Sequence, residues 1–112
     1  MALSSEQQLL IAELPGADLV AEGLKDALAG RVTPNACLVF IAGPRLRGAG
    51  LLDMAAVPAR IADAELKLYD LLCQQPGDAY GTYNSLLRRL VSFERALDHR
   101  LTAQRKSGVA IA

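Results

Sequence analysis

The sequence predicts an all-α fold: a compact bundle of four or five helices with a long C-terminal antiparallel helix hairpin. Three observations lead there. Apolar residues fill 52% of the 112 positions, with Ala and Leu dominant, while β-branched residues are sparse and rarely alternate. Apolar positions recur at three- and four-residue intervals in several stretches. Between those stretches stand Pro15-Gly16, Gly43-Pro44 and Pro76-Gly77, which punctuate helices.

The first predicted helix is short. Ser4 or Ser5 can cap it, Gln7 and Gln8 stand where a capping box places them, and Leu9, Leu10 and Ile11 supply its buried side before Pro15-Gly16 ends it. A second starts near Ala17 or Asp18 and carries Val20, Leu24, Ala27 and Leu28 on one side. Gly30 stands where a left-handed C-terminal residue is wanted. Thr33-Pro34 then restarts a helix, because Thr can accept the orphan amides and Pro is preset for the first helical position. The residues that follow, Ala36 to Ala42, are apolar on every side, so this helix needs neighbours all round.

Gly43-Pro44 is expected to close that helix, and Gly48, Gly50 and Pro58 mark the stretch to residue 58 as loop with at most one short helical turn. An amphipathic helix is predicted from about Ala59 to Gln75, with Ile61, Leu68, Leu71 and Leu72 on one side and Asp63–Lys67 as a pair four apart. Asp78 or Thr82 can cap the last helix, which is expected to run to about Gln104. Its stripe of Tyr83, Leu86, Leu90, Phe93, Leu97 and Leu101 is the most regular in the chain and must be covered. Residues 1–106 thus read as a single helical domain and 107–112 as a flexible C-terminal tail.

Composition narrows the function classes. The twelve bases balance the twelve acids, so the domain lacks the basic excess usual in nucleic-acid binders. The longest uncharged apolar stretch, Ala36–Gly43, is far short of the ~20 residues that cross a bilayer, and no membrane association is expected. No basic-then-apolar secretory leader is visible at the start, and Cys37 and Cys73 both lie in apolar surroundings, so a cytoplasmic location with both thiols buried is the expectation. Charge is unevenly spread: residues 1–30 hold five acids and one Lys, residues 85–112 six bases and two acids. The ends can therefore dock on each other, or head to tail on a second copy.

Few groups gather in a chemically suggestive pattern. The stretch from Gly43 to Gly50, with Arg45 and Arg47, has the local composition of a phosphate cradle, but Ala49 and Gly50 stand where a P-loop needs Lys and Ser or Thr. A dinucleotide fingerprint fails too, since Asp53 stands where its third Gly or Ala belongs. On the last helix, Asn84, Arg88, Ser92, Arg95 and His99 share a face that could lie along phosphates, with Asp98 placed to pair with Arg95 and dilute it. The segment from Asp18 to Ala42 has the outline of a helix-turn-helix, yet its second helix carries no Arg, Lys or Gln to reach base edges. His99 reads as a surface residue with no nucleophile beside it, and Asp63, Glu65 and Asp70 do not make the Glu-x-x-His pattern of a metal bundle.

Tyr69, Tyr80, Tyr83 and Phe93 cluster around the junction of the last two helices, as packing residues or as a partner surface. The function expected is therefore a non-enzymatic cytoplasmic protein acting through protein–protein contact, with no cofactor and no metal. Self-association as a homodimer is expected through the C-terminal hairpin, with Tyr80, Tyr83, Leu90, Phe93 and Leu97 as the interface. One alternative is nucleic-acid or polyanion binding by Arg88, Arg95 and His99. A second is a phosphate-containing ligand at the Gly-rich turn, held by Arg45 and Arg47.

Overall fold

The computed structural model describes residues 11–58 and 60–111. Among the described residues the regular elements are all helical: α1 (Ala17–Leu28), α2 (Pro34–Ile41), α3 (Gly43–Gly48), a 3-10 turn at Met54–Ala56, α4 (Ala64–Cys73) and α5 (Ala79–Ile111). The helix expected to begin at Ser4 or Ser5 lies almost wholly outside the described residues, although Ile11 and Leu14 are within them and both are buried.

The join between α1 and α2 follows from its residues. Gly30 has φ +77°, the conformation in which its N–H reaches the Ala27 carbonyl at 3.1 Å while the Arg31 N–H reaches that of Asp26 at 2.8 Å. This paired closure satisfies the last carbonyls of α1 and turns the chain back. Thr33 then caps α2: its hydroxyl accepts the Ala36 N–H at 3.2 Å and donates to Asp26 Oδ2 at 2.6 Å. Arg31 holds the other oxygen of the same carboxylate. These contacts keep the Asp26 carboxyl below its ordinary value of 3.8, with the Thr33 hydroxyl the largest cause and Arg31 behind it, against the opposing effect of burial.

Helix α2 is the hub, packed against α1, α3, α4 and α5. Ala36, Cys37, Leu38 and Val39 are fully buried, as an all-round apolar helix requires. Contact with α1 is the most extensive, and Gly23 explains how close it is: a Cβ there would stand 2.2 Å from the Asn35 carbonyl oxygen and 2.6 Å from Val39 Cγ2. The core is completed by Val20 and Leu24 from α1, Leu46 from α3, Leu51 and Leu52 after it, Leu68 and Leu72 from α4, and Leu90, Phe93 and Leu97 from α5. Among the described residues no polar or charged side chain is buried.

Several expectations are corrected. The Gly-rich stretch is not a loop at its start, because Pro44 in a first turn loses no needed hydrogen bond, so Gly43-Pro44 begins α3 immediately after α2 ends. Helix α3 closes with the same device as α1: Gly50 has φ +75°, and the Leu51 N–H reaches the Leu46 carbonyl at 2.9 Å. Helix α4 starts at Ala64 and not near Ala59, since Asp63 takes the left-handed conformation at φ 47° and stands outside the helix as its cap residue. Helix α5 opens where Asp78 accepts the Gly81 N–H at 3.1 Å, one of the two caps expected. Its backbone stays helical past Gln104, to Ile111. Cys37 is buried as expected, but Cys73, in the last turn of α4, is exposed.

The opposite charges of the two ends meet within the chain. Arg89 reaches Asp18 at 3.3 Å and Arg100 reaches Glu13 at 3.7 Å. Both pairs have exposed partners, so each contributes at most about 1 kcal/mol and serves orientation more than stability. The overall extents are 51 × 28 × 21 Å, and α5, with 33 residues at about 1.5 Å each, is as long as the longest axis.

Candidate functional site

The C-terminal end of α2 is left partly uncovered. Phe40 and Ile41 at its end are only half-buried, and they form the floor of a cleft of about 1150 Å³. The bend at Ala42 carries Gly43, Pro44 and Arg47 of α3 along one wall. Arg60, Ile61 and Asp63 form the rim that leads into α4, whose first turns present Glu65, Leu66 and Tyr69. Tyr80 and Tyr83 from the start of α5 close the other side.

Two aromatic rings meet in the wall. Tyr69 and Tyr83 pack edge to face with centroids 5.6 Å apart and an interplanar angle of 89°, a favoured arrangement for aromatic quadrupoles. The Cys73 sulfur beside Tyr69, through its charge first and its hydrogen bond second, pushes the phenol of Tyr69 up from its ordinary value. The mouth is open and mixed in character, with exposed Arg47, Arg60, Asp63 and Glu65 beside Leu66 and Tyr80. Leu66 is 61% exposed and Tyr80 66%, the two most exposed large apolar side chains among the described residues.

The residues singled out in the sequence fall into four groups. Tyr80 and Tyr83 line the cleft, as does Arg47. Leu90, Phe93 and Leu97 do not: they are 2%, 0% and 0% exposed within the single chain, so the α5 seam belongs to its own core and is closed to a partner. The correction has a simple cause, since α1, α2 and α4 all reach α5 and cover the stripe. Arg45 is not free to hold a phosphate either. It is paired with Glu94 at 3.4 Å and with Asp98, which tie α3 to α5. Glu94 is mostly buried, and that burial pushes its carboxyl up, against the pull of Arg45.

The fourth group is Arg88, Arg95 and His99, exposed on one face of α5 together with Ser92. Asp98 is turned to Arg45 and not to Arg95 as its spacing suggested. The stripe remains three cations wide at most in a chain of zero net charge, which is also the composition of a solvated helix face. Among the described residues no three His, Cys, Asp or Glu side chains gather as a metal site would require, and no helix is long and apolar enough to cross a membrane.

Only part of this cleft is legible in the sequence. The tyrosines form an aromatic cluster and Arg47 is a candidate cation, but nothing in the spacing connects Phe40, Ile41, Ile61 and Arg60 to them. One signal was available: Leu66 stands off the stripe made by Leu68, Leu71 and Leu72, and a large apolar residue on the wrong side of an amphipathic helix marks a surface to be covered. Comparison with known proteins gives no relative: no family model, no curated protein and no solved structure matches the chain.

Proposed function

We propose that this chain is a non-enzymatic, cytoplasmic helical protein that acts through protein–protein contact, and that the cleft between α2, α3, α4 and α5 is its contact surface. In this reading α4 and α5 form an antiparallel hairpin through Pro76-Gly77 and present Tyr69, Tyr80 and Tyr83 along one wall. One observation carries it: an open cleft of about 1150 Å³ whose mouth holds Leu66 and Tyr80, the two most exposed large apolar side chains among the described residues. Removing such surface from water is favourable by roughly 25 cal/mol per Å², so a patch of this kind drives association. Tyr and Arg are also the residue types that dominate binding energy at protein interfaces, and Arg47 and Arg60 stand beside the tyrosines. A cytoplasmic location agrees with two cysteines that are not bonded to each other.

The reading is tested with a photo-reactive residue replacing Tyr80, compared with the same residue at the exposed Arg95, outside the cleft, in the cells that make the protein. Covalent adducts to protein should form at position 80 well above the yield at position 95. Equal yields, or no adduct at position 80, would overturn the cleft as a contact surface.

A further inference from the structure

We propose that the partner is a second copy of this chain, docked across the cleft by a two-fold axis so that Leu66 and Tyr80 of each copy enter the hollow of the other. This rests on the cleft being a contact surface and adds the identity of what it contacts. A two-fold contact uses one patch twice, so that patch must hold both a projection and a recess, and both signs of charge. The cleft meets each condition. The recess is about 1150 Å³, and the projections beside it are Leu66 and Tyr80, at 61% and 66% exposure.

The charges point the same way. Arg47, Arg60, Asp63 and Glu65 line the cleft, all four exposed. Among the described residues none of these four is ion-paired within the chain, whereas Arg31, Arg45, Arg89 and Arg100 all have carboxylate partners. An acidic peptide or a nucleic acid would satisfy Arg47 and Arg60 but set its own charge against Asp63 and Glu65. A basic partner would do the reverse. A second copy brings two cations to two carboxylates and two carboxylates to two cations, so every one of the four can be matched.

Sedimentation equilibrium on the full chain tests this, since it reads mass without regard to shape. The weight-average mass should climb with concentration from 11.9 kDa towards twice that value. Two variants then locate the contact: R47E/R60E makes the cleft wholly acidic, and D63N/E65K makes it basic while keeping at position 63 a residue type that tolerates the left-handed backbone. Each alone should stay at the mass of one copy while keeping its helical circular dichroism, and an equimolar mixture should recover the doubled mass as a one-to-one pair. Leu66→Glu, at an exposed position, should also remain folded and single. Wild-type protein that stays at 11.9 kDa to its solubility limit overturns the proposal, as do charge variants that pair as well as the parent. If Tyr80 crosslinks to a different protein while the mass stays single, the contact surface stands and the second copy falls. If the doubled mass appears without crosslinks from position 80, the pairing uses another face and this proposal fails.

Discussion

The two sides of α2 obey different rules. Towards α1 the packing is so close that Gly23 lies against the Asn35 backbone, and the turn between the helices is held by Thr33, Asp26 and Arg31 together. Towards α3 and α4 the same helix ends in a half-covered Phe40 and Ile41, and large apolar side chains face solvent. A helix that is apolar all round could have been sealed along its whole length. Ala36 to Val39 are sealed all round while Phe40 and Ile41 at the end are left half-covered, and this separates the part of the molecule that holds the fold from the part left for contact.

The sharpest way to break this contrast is Gly23→Ala. The added methyl meets backbone as well as side chain, so relief requires α1 and α2 to move apart. Overpacking of this kind costs ~1–3 kcal/mol or more, and the better helix propensity of Ala recovers only about 1. We expect a net loss near 2 kcal/mol, read as a drop of roughly 10 °C in Tm. A variant that melts with the parent would mean that the contact is slack.

Thr33→Ala should have a smaller effect, about 1 kcal/mol in a urea titration at pH 7, from the lost cap. Its pH dependence is informative. A carboxyl held below its ordinary value by native contacts contributes stability that is present above that value and lost as pH falls through the folded one. The deficit of the variant should therefore be greatest at neutral pH and narrow as pH is taken below the ordinary 3.8 of Asp26. A deficit that is flat from pH 7 to acid would show that the Thr33 hydroxyl acts on the helix end alone.

Leu66→Ala should have the smallest effect. At 61% exposure within one copy the side chain packs little, and the change should stay within about 0.5 kcal/mol by the same titration at a concentration where the chain is single. A loss as large as that of Gly23→Ala would place Leu66 in the core and erase the difference between the two sides.

Much of the sealed side was legible in the sequence because its determinants are local. A Gly at the end of an apolar repeat, a Thr-Pro restart and an unbroken apolar run each specify a helix end or a burial pattern within a few residues. The cleft side was less so. Gly43-Pro44 reads equally as a stop or a start, and only packing on α2 decides for the start. Arg45 finds Asp98 across 53 positions, which no spacing rule can foresee, and local spacing points instead to the near neighbour Arg95. Leu90, Phe93 and Leu97 recur with the right period for either a core or an interface, because periodicity marks a stripe to be covered without saying by what.

The 33-residue α5 has a practical consequence. A body 51 Å long but only 28 and 21 Å across, with a radius of gyration of 14.7 Å against about 13 Å for a rounder chain of this length, meets more friction than its mass implies. One copy should therefore leave a gel-filtration column ahead of a spherical standard of 11.9 kDa, and that early peak reports an elongated outline, not a pair.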